Sequence, residues 1–419
     1  MSRGLGDVYK RQLPVRGTKD YLPNEVEIRD YLRMKIESTY KSFGFNKINT
    51  PMMEDIDRLN KSDGGENLAM IFKILKRGQK LDLSKTNLSE SDLVDSGLRY
   101  DLTLPLSRYF ANNKHLLSMP FKALQIDKVF RAERPQKGRL REFYQCDIDI
   151  IGDASIVAEM ELIAATTAAL EAIGFTGFTV RINDRRILTD MILAAGFALE
   201  DIDSVCISFD KLDKVGLDGV KVELLEKKYV PEVVEKFIDI LSVTDTLSAA
   251  EKYCTNAMVI SDLKQVLDFT NQIANGKFAA IYDKSLVRGM GYYTGMVFEI
   301  VSPKFGSSVA GGGRYNDMIG KFLGESVPAV GFSIGFERIS AILLSEGFVP
   351  PAKEKVVLAY MAETPFADVV TKANHLQKQG KIVTILKRSK KFGKQLDMLV
   401  ADGAKSLISV EDGSVKALS

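Results

Sequence analysis

In "EVEIRDYLRMKIESTYKSF", residues 25–43, apolar side chains fall at Val26, Ile28, Leu32, Ile36 and Tyr40, near one face of a 3.6-residue period, and Gly44 ends the run. That spacing predicts a helix. "FNKINTPMME" follows as a strand ending in Thr-Pro, with Pro51 suited to a strand exit. Leu98–Leu106 reads as another strand bounded by Pro105, which sets Asp101 and Thr103 on a shared face. "FKALQIDKVFRAE" and "LREFYQCDIDIIG" are two β-rich runs separated by "RPQKGR", which predicts a hairpin with a polar, basic tip. An Ala-rich helix is expected over 154–173, then the strand "FTVRIND" leading into the helical "RRILTDMILAAGF".

From 186 to 276 the pattern is helical and charge-mixed without glycine clusters, as in "VKVELLEKKYVPEVVEKFIDIL", and reads as an inserted helical module. β-character returns at "AAIYDKSLVRGMGYYTGMVFEIV" and "SSVAGGGRY", and a long helix, "VGFSIGFERISAILLSE", closes that unit near 348. "FVPPAKE" is a linker by its prolines. Beyond it, 354–419 alternates strand and helix, which implies a small α/β domain with a mainly parallel sheet. In 13–185 and 277–348 the strands lie close together and the helices come in blocks. The expected class there is α+β, an antiparallel sheet flanked by helices. Residues 1–12, "MSRGLGDVYKRQ", look like a non-native leader, and the last unit, ending "GSVKALS" without a closing helix, reads as truncated.

Composition narrows the possibilities. A chain of 419 residues with 45% hydrophobic and 27% charged positions has an ordinary globular balance and room for two or three domains. The formal charge of +2 gives no overall pull toward nucleic acid, so a polyanion would need a local basic face. Cys146, Cys206 and Cys254 lack zinc spacing and read as reduced thiols of a cytoplasmic protein. With only His115 and His375, histidine-based metal or triad chemistry is excluded. No run reaches the roughly 18 apolar residues of a membrane helix.

Candidate chemistry begins in the hairpin. Arg131 and Glu133 are read on one strand, with Arg139 and Arg141 opening the other. Gln145, Asp147 and Asp149 alternate at period two and project to one face, while the other face, with Phe143, is apolar. Such a polar face lines either solvent or a cleft, because buried charges need partners. Gly331 and Gly335, at helical spacing, would let a helix carrying Arg338 lie close to a sheet. "VAGGGRYND" lacks the Lys-Ser/Thr of a P-loop and reads by itself as a strand kink or bulge. "VRGMGYYTG" sets Arg288 beside Tyr292 and Tyr293 at the mouth of a strand.

In order and spacing, "TKDYLPNEV", "LRYDLTLPLSRY", "FRAERPQKGRLREFYQCDIDIIG", "VRINDRRIL", "VRGMGYYTG", "AGGGRY" and "PAVGFSIGFERI" resemble the histidyl-tRNA synthetases, class II aminoacyl-tRNA synthetases, over almost the whole chain. The hairpin looks like motif 2 and the Arg338 helix like motif 3. The resemblance implies ATP, L-histidine and tRNA(His) as partners, a homodimer, no DNA and no membrane. It places Arg131 at the α-phosphate, Arg338 at the γ-phosphate, and Glu133 and Arg139 around ATP. Arg288 would face the α-phosphate and the histidine carboxylate. Asp101, Leu102, Thr103 and Gln145 would surround the α-ammonium, with Asp149 and Tyr293 on the imidazole and Tyr292 and Tyr315 beside it. Mg²⁺ would come with ATP, held mainly by phosphate and water oxygens, with no organic cofactor and no protein metal ligand assigned. The usual family signature has an acid where this chain has Gly291. The last domain resembles the anticodon-binding domain, and "LKRSKKFGKQ", 386–395, supplies its basic patch. The alternative is a synthetase-like regulatory subunit of ATP phosphoribosyltransferase, which binds histidine without charging tRNA. The retained Arg131, Arg338 and final domain weigh against it.

Overall fold

The computed structural model describes residues 13–60, 68–135, 139–287, 293–304, 306–351 and 353–418. The chain forms two compact units, one of residues up to Asp20 with Arg29–Gly347 and one of Tyr21–Ile28 with Phe348–Ser419.

The first unit is built on eight strands: β1 (Asn46–Lys47), β5 (Phe121–Phe130), β6 (Glu142–Ile151), β7 (Thr179–Asp184), β8 (Ala279–Tyr282), β9 (Met296–Ser302), β10 (Ser307–Arg314) and β11 (Ala329–Gly335). They lie in the order β1-β5-β6-β11-β10-β9-β7-β8, antiparallel throughout the centre and parallel at the two edges. β5 and β6 pair along their whole length, Phe121 opposite Ile151 and Phe130 opposite Glu142, so the predicted hairpin forms. Its strand ends at Phe130, which puts Arg131 and Glu133 in the connection rather than in a strand. A smaller antiparallel sheet, β2 (Met53–Asp55), β4 (Val94–Leu98) and β3 (Phe72–Leu75), lies in the same unit. Between β7 and β8 the chain is helical, from Arg185–Ala195 to Ala257–Ala274.

One face of the large sheet is apolar and closed. Cys146, Ile148 and Ile150 of β6 and Ile334 of β11 are buried there, and the helices Val157–Ala172 and Phe336–Ser345 pack against these strands. Each such side chain contributes about 1.5–3 kcal/mol by leaving water. The helix Pro23–Ser42 buries Leu32, Ile36 and Tyr40 of the predicted stripe, while Val26 is exposed.

Two sequence expectations are corrected here. Leu98–Leu106 is not one strand: β4 stops at Leu98 and a helix, Thr103–Asn113, begins five residues later. Asp101 Oδ1 accepts the Leu104 N–H at 3.2 Å, and Pro105 sits in the first helical turn, where a missing N–H costs nothing. "VGFSIGFERISAILLSE" is a strand and then a helix, with Gly331 and Gly335 in β11 and the helix starting at Phe336.

In the second unit β12 (Lys355–Tyr360) pairs in parallel with β13 (Ile382–Lys387) and β14 (Ala404–Ser409), and β15 (Val415–Ala417) adds an antiparallel edge. Helices Phe366–Lys378 and Phe392–Ala401 cover the faces around two small apolar clusters. Lys387, Arg388, Lys390, Lys391 and Lys394 are all exposed. No helix among the described residues is long and apolar enough to cross a membrane.

Candidate active site

The open face of the large sheet holds a cavity of about 770 Å³, and the strand register explains its presence. Residues opposite one another share a face. Gln145, Asp147 and Asp149 of β6 lie opposite Gly335, Ser333 and Gly331 of β11. Ser333 and Gly331 in turn face Gly311 and Gly313 of β10. Long polar side chains therefore border a floor made of glycine and serine, where there is nothing to fill the space above the backbone.

Two glycines are required by close approach. A Cβ on Gly331 would lie 2.0 Å from Asp149 Oδ1, and one on Gly313 would lie 2.9 Å from the Tyr293 ring. Room made at Gly331 lets the Tyr315 hydroxyl donate to Asp149 Oδ1 at 2.5 Å. Arg314, the residue before Tyr315, is pinned by Glu159 through Nε and Nη2, both at 2.6 Å, and donates to the carbonyls of Asp153 and Ser155.

The loop ahead of the helix Thr103–Asn113 is held by Arg99. This fully buried guanidinium pairs with Asp127 at 2.8 Å and donates to the carbonyls of Lys128 and Thr50. Two and four residues on, Asp101 and Thr103 reach the cavity. Arg131 enters from the hairpin with Nε on the Tyr100 carbonyl at 3.0 Å and its guanidinium 5.1 Å from the Phe143 ring. Among the described residues no carboxylate forms an ion pair with it. Arg139 pairs with Glu133 at 3.0 Å, and Glu133 Oε1 is buried without a hydrogen-bond partner. Arg338 donates through Nη1 to the Ser308 carbonyl. Its neighbour Glu337 is gripped by Arg29 at 2.6 and 2.7 Å.

Three carboxyls sit on this wall with elevated pKa values. Burial pushes Asp149 up to about 7, against the lowering donation from Tyr315 and with Asp101 adding repulsion. Asp101 is pushed up to about 6, again by burial, moderated by the Leu104 N–H and by Arg131 and Arg99. Asp147 is raised by burial and then by Asp149. Such a wall favours a ligand that brings positive charge and N–H donors.

Arg131, Glu133, Arg139, Arg338, Asp101, Thr103, Gln145, Asp149, Tyr293 and Tyr315 all line this cavity, although they come from five separate stretches of sequence. Leu102 does not line it. Its side chain is fully buried and its carbonyl accepts from Gln125 Nε2 at 3.1 Å, so it supports the loop from beneath. Arg288 and Tyr292 lie outside the described residues. Phe143 belongs to the polar face and lines the cavity, contrary to the apolar face read for it, because odd positions of β6 share one side. Asp147 also lines the cavity, 4% exposed and with Oδ1 unpartnered. The sequence reading put it on the right face without giving it a role. Its signal was the same alternation that marked Gln145 and Asp149. Ser333 and Glu299, also lining, carried no sequence signal.

The histidyl-tRNA synthetase family model matches residues 17–339. The chain is 40% identical over 417 residues to the histidine–tRNA ligase of Leifsonia xyli subsp. xyli, covering 95% of each. It is similar to the crystal structure of histidyl-tRNA synthetase from Nostoc sp. PCC 7120, with a TM-score of 0.78 and 26% identity over 98% of this chain and 97% of that one. It shares its fold with a Bacillus halodurans protein named as an ATP phosphoribosyltransferase regulatory subunit/histidyl-tRNA synthetase, at a TM-score of 0.77 and 19% identity over 96% and 98% of the two chains. The match in sequence over nearly the full length, on a class II sheet, leaves one conclusion: the chain belongs to the histidyl-tRNA synthetase family.

Proposed function

We propose that the chain is a histidine–tRNA ligase that activates L-histidine with ATP to histidyl-adenylate and transfers the histidyl group to the 3′ end of tRNA(His). The observation that supports this most is a single cavity lined both by guanidinium groups and by the Asp149–Tyr315 pair. In the first step a histidine carboxylate oxygen bonds to the α-phosphorus and the bond to pyrophosphate breaks. Negative charge builds on five-coordinate phosphorus, and fixed cations stabilise it more than they stabilise bound ATP. Guanidinium suits the task because it stays ionised and presents a planar fork to oxygen. Arg131 is assigned the α-phosphate, Arg338 the γ-phosphate end, and Glu133 and Arg139 the placement of ATP. Arg288 is assigned the α-phosphate and the histidine carboxylate. Mg²⁺ enters with ATP as part of the substrate and neutralises phosphate charge. The partnerless Oε1 of Glu133 is a hard oxygen that fits it.

On the amino-acid side, Asp101, Thr103 and Gln145 take the α-ammonium. Asp149 accepts from one imidazole nitrogen and Tyr293 donates to the other, with Tyr315 orienting Asp149 and Tyr292 alongside. A pocket that pairs both ring nitrogens discriminates by about 10⁴-fold against side chains that cannot. The exposed lysines and arginine of 387–394 are assigned to tRNA phosphates, residues 354–419 to the anticodon, and 186–276 to a helical insertion. The same reading makes the enzyme a cytoplasmic homodimer. Three free cysteines fit a reducing compartment.

ATP–pyrophosphate exchange across a panel of amino acids tests the proposal. Exchange should require histidine, and total tRNA should then be charged with it. Arg288→Ala should cost at least about 10²-fold in exchange, the scale of losing one transition-state donor. Histidine binding without exchange would overturn the ligase reading in favour of a regulatory subunit, and a variant within threefold of wild type would remove Arg288 from the reaction centre.

A further inference from the structure

Arg141 lies at the base of the hairpin connection and is not part of the cavity lining. Its guanidinium donates to three main-chain carbonyls: Glu133 from Nε at 2.9 Å, Ala132 from Nη2 at 3.3 Å and Arg16 from Nη1 at 3.4 Å. Its backbone closes the same junction. The Arg141 N–H donates to the Gly17 carbonyl at 2.7 Å, and the Arg141 carbonyl accepts from the Arg131 N–H at 2.8 Å. Residues Val15–Thr18 form a turn, with the Thr18 N–H on the Val15 carbonyl at 2.9 Å and the Thr18 hydroxyl on the same oxygen at 2.7 Å. Gly17 has φ of +90°, and a Cβ there would meet Arg141 Cγ at 2.8 Å and Pro135 Cβ at 3.2 Å. The turn can press onto Arg141 only because residue 17 is glycine.

Charge alone does not explain this arrangement. Among the described residues no carboxylate pairs with Arg141, and all three guanidinium nitrogens are spent on carbonyl oxygens. Two of those carbonyls belong to the residues directly after Arg131. Arg131 and Glu133 line the cavity, so Arg141 can act on the site only through them. A forked cation serves where a lysine would not, because it offers donors in several fixed directions at once.

We infer that Arg141, capped by the Val15–Thr18 turn, is a positioning residue for ATP: it fixes the backbone from which Arg131 and Glu133 reach the nucleotide. The inference rests on the proposed assignment of this cavity to ATP. A displacement of about 1 Å at a reacting group can cost up to about 100-fold, which sets the scale of the effect.

The test uses the full chain and two readouts. One is the rise in unfolding temperature produced by Mg-ATP without histidine; the other is the KM for each substrate in histidine-dependent pyrophosphate exchange. Arg141→Gln should raise the KM for ATP by at least about tenfold, move the KM for histidine less than twofold, and shrink the ATP-induced thermal shift. Arg141→Lys, which keeps the charge and loses the fork, should remain impaired. Gly17→Ala approaches the same junction without touching the guanidinium and should reproduce the ATP defect, which covers the case of an Arg141 variant that fails to fold. An ATP KM within twofold of wild type in Gly17→Ala and in a folded Arg141 variant overturns the inference. Equal losses for both substrates, or full rescue by lysine, do so as well. Wild-type protein that is stabilised by Mg-ATP but gives no histidine-dependent exchange would instead sink the ligase proposal and leave the positioning claim to the thermal readout.

Discussion

Asp149 shows how one side chain is tuned by its neighbours. Burial disfavours its charge and pushes it up to about 7, while the Tyr315 hydroxyl pulls it down by donating to Oδ1. An imidazole N–H needs the ionised form, so histidine capture should strengthen as pH rises through that value. In Tyr315→Phe the lowering donor is gone. The acid limb of kcat/KM for histidine should therefore move to higher pH, and activity at pH 7 should fall by about tenfold, the worth of a hydrogen bond to a charged group. Comparing the variant with wild type removes the titration of free histidine from the result. An unmoved limb would mean that Asp149 is not the group titrating. Sequence alternation placed Asp149 on a polar face, but the 2.5 Å contact with residue 315 depends on Gly331 leaving space, and no local pattern encodes that.

Between elements, the connections that hold the site are ion pairs far apart in sequence. Arg314 closes β10 onto the helix Val157–Ala172 through Glu159, whose side chain is 2% exposed. Arg314→Leu leaves that carboxylate buried without its partner and should cost about 3–5 kcal/mol in denaturant unfolding. The double variant Arg314→Leu/Glu159→Leu should recover much of this, since a buried pair replaced by apolar groups is often close to neutral. A single variant costing less than about 1 kcal/mol would show the pair to be solvated. Elements are also where the sequence reading erred. A spacing of four residues at Gly331 and Gly335 matches one helical turn, yet it equally puts both residues on one face of a strand. The structure takes the second option, because β6 and β10 flank β11 and supply its hydrogen-bond partners. Asp101 and Thr103 line the cavity but are not a strand pair, because the Leu104 N–H finds a carboxylate acceptor and the chain turns into a helix.

Across the whole molecule, the carboxyl wall of the first unit and Glu411 of the second respond to pH with opposite sign. Asp149, Asp101 and Asp147 hold protons more tightly folded than unfolded. Their contribution is complete below about pH 4 and is lost as pH rises, through about 6 for Asp101 and about 7 for Asp149. For Asp149 alone the loss is on the order of 4 kcal/mol. In the second unit Glu411 is lowered to about 2 by Thr364, the Met361 N–H and Ser409, so its contribution is present above the ordinary glutamate value and disappears as pH falls toward 2. Without ligand, the first unit should accordingly lose stability from pH 5 to pH 8. If histidine binds the ionised wall as proposed, the rise in unfolding temperature it produces should be larger at pH 8 than at pH 6, as calorimetry with and without histidine would show. An equal rise at both values would mean that the carboxyl wall does not meet the ligand's positive charge.

By itself the sequence determined the periodic elements, the hairpin, the parallel α/β unit after residue 354 and most of the polar residues that reach the cavity. These rest on local physics: side-chain period, proline and glycine limits, and the cost of burying charge. Only the tertiary structure decided that Leu102 supports the loop instead of lining the site, that Phe143 turns toward Arg131, and that Asp147 completes the carboxyl wall. It also decided where the cavity lies. A bare patch of sheet exists only when glycines and a serine of β10 and β11 come into register beside Gln145, Asp147 and Asp149, and register is set by pairing between strands almost two hundred residues apart.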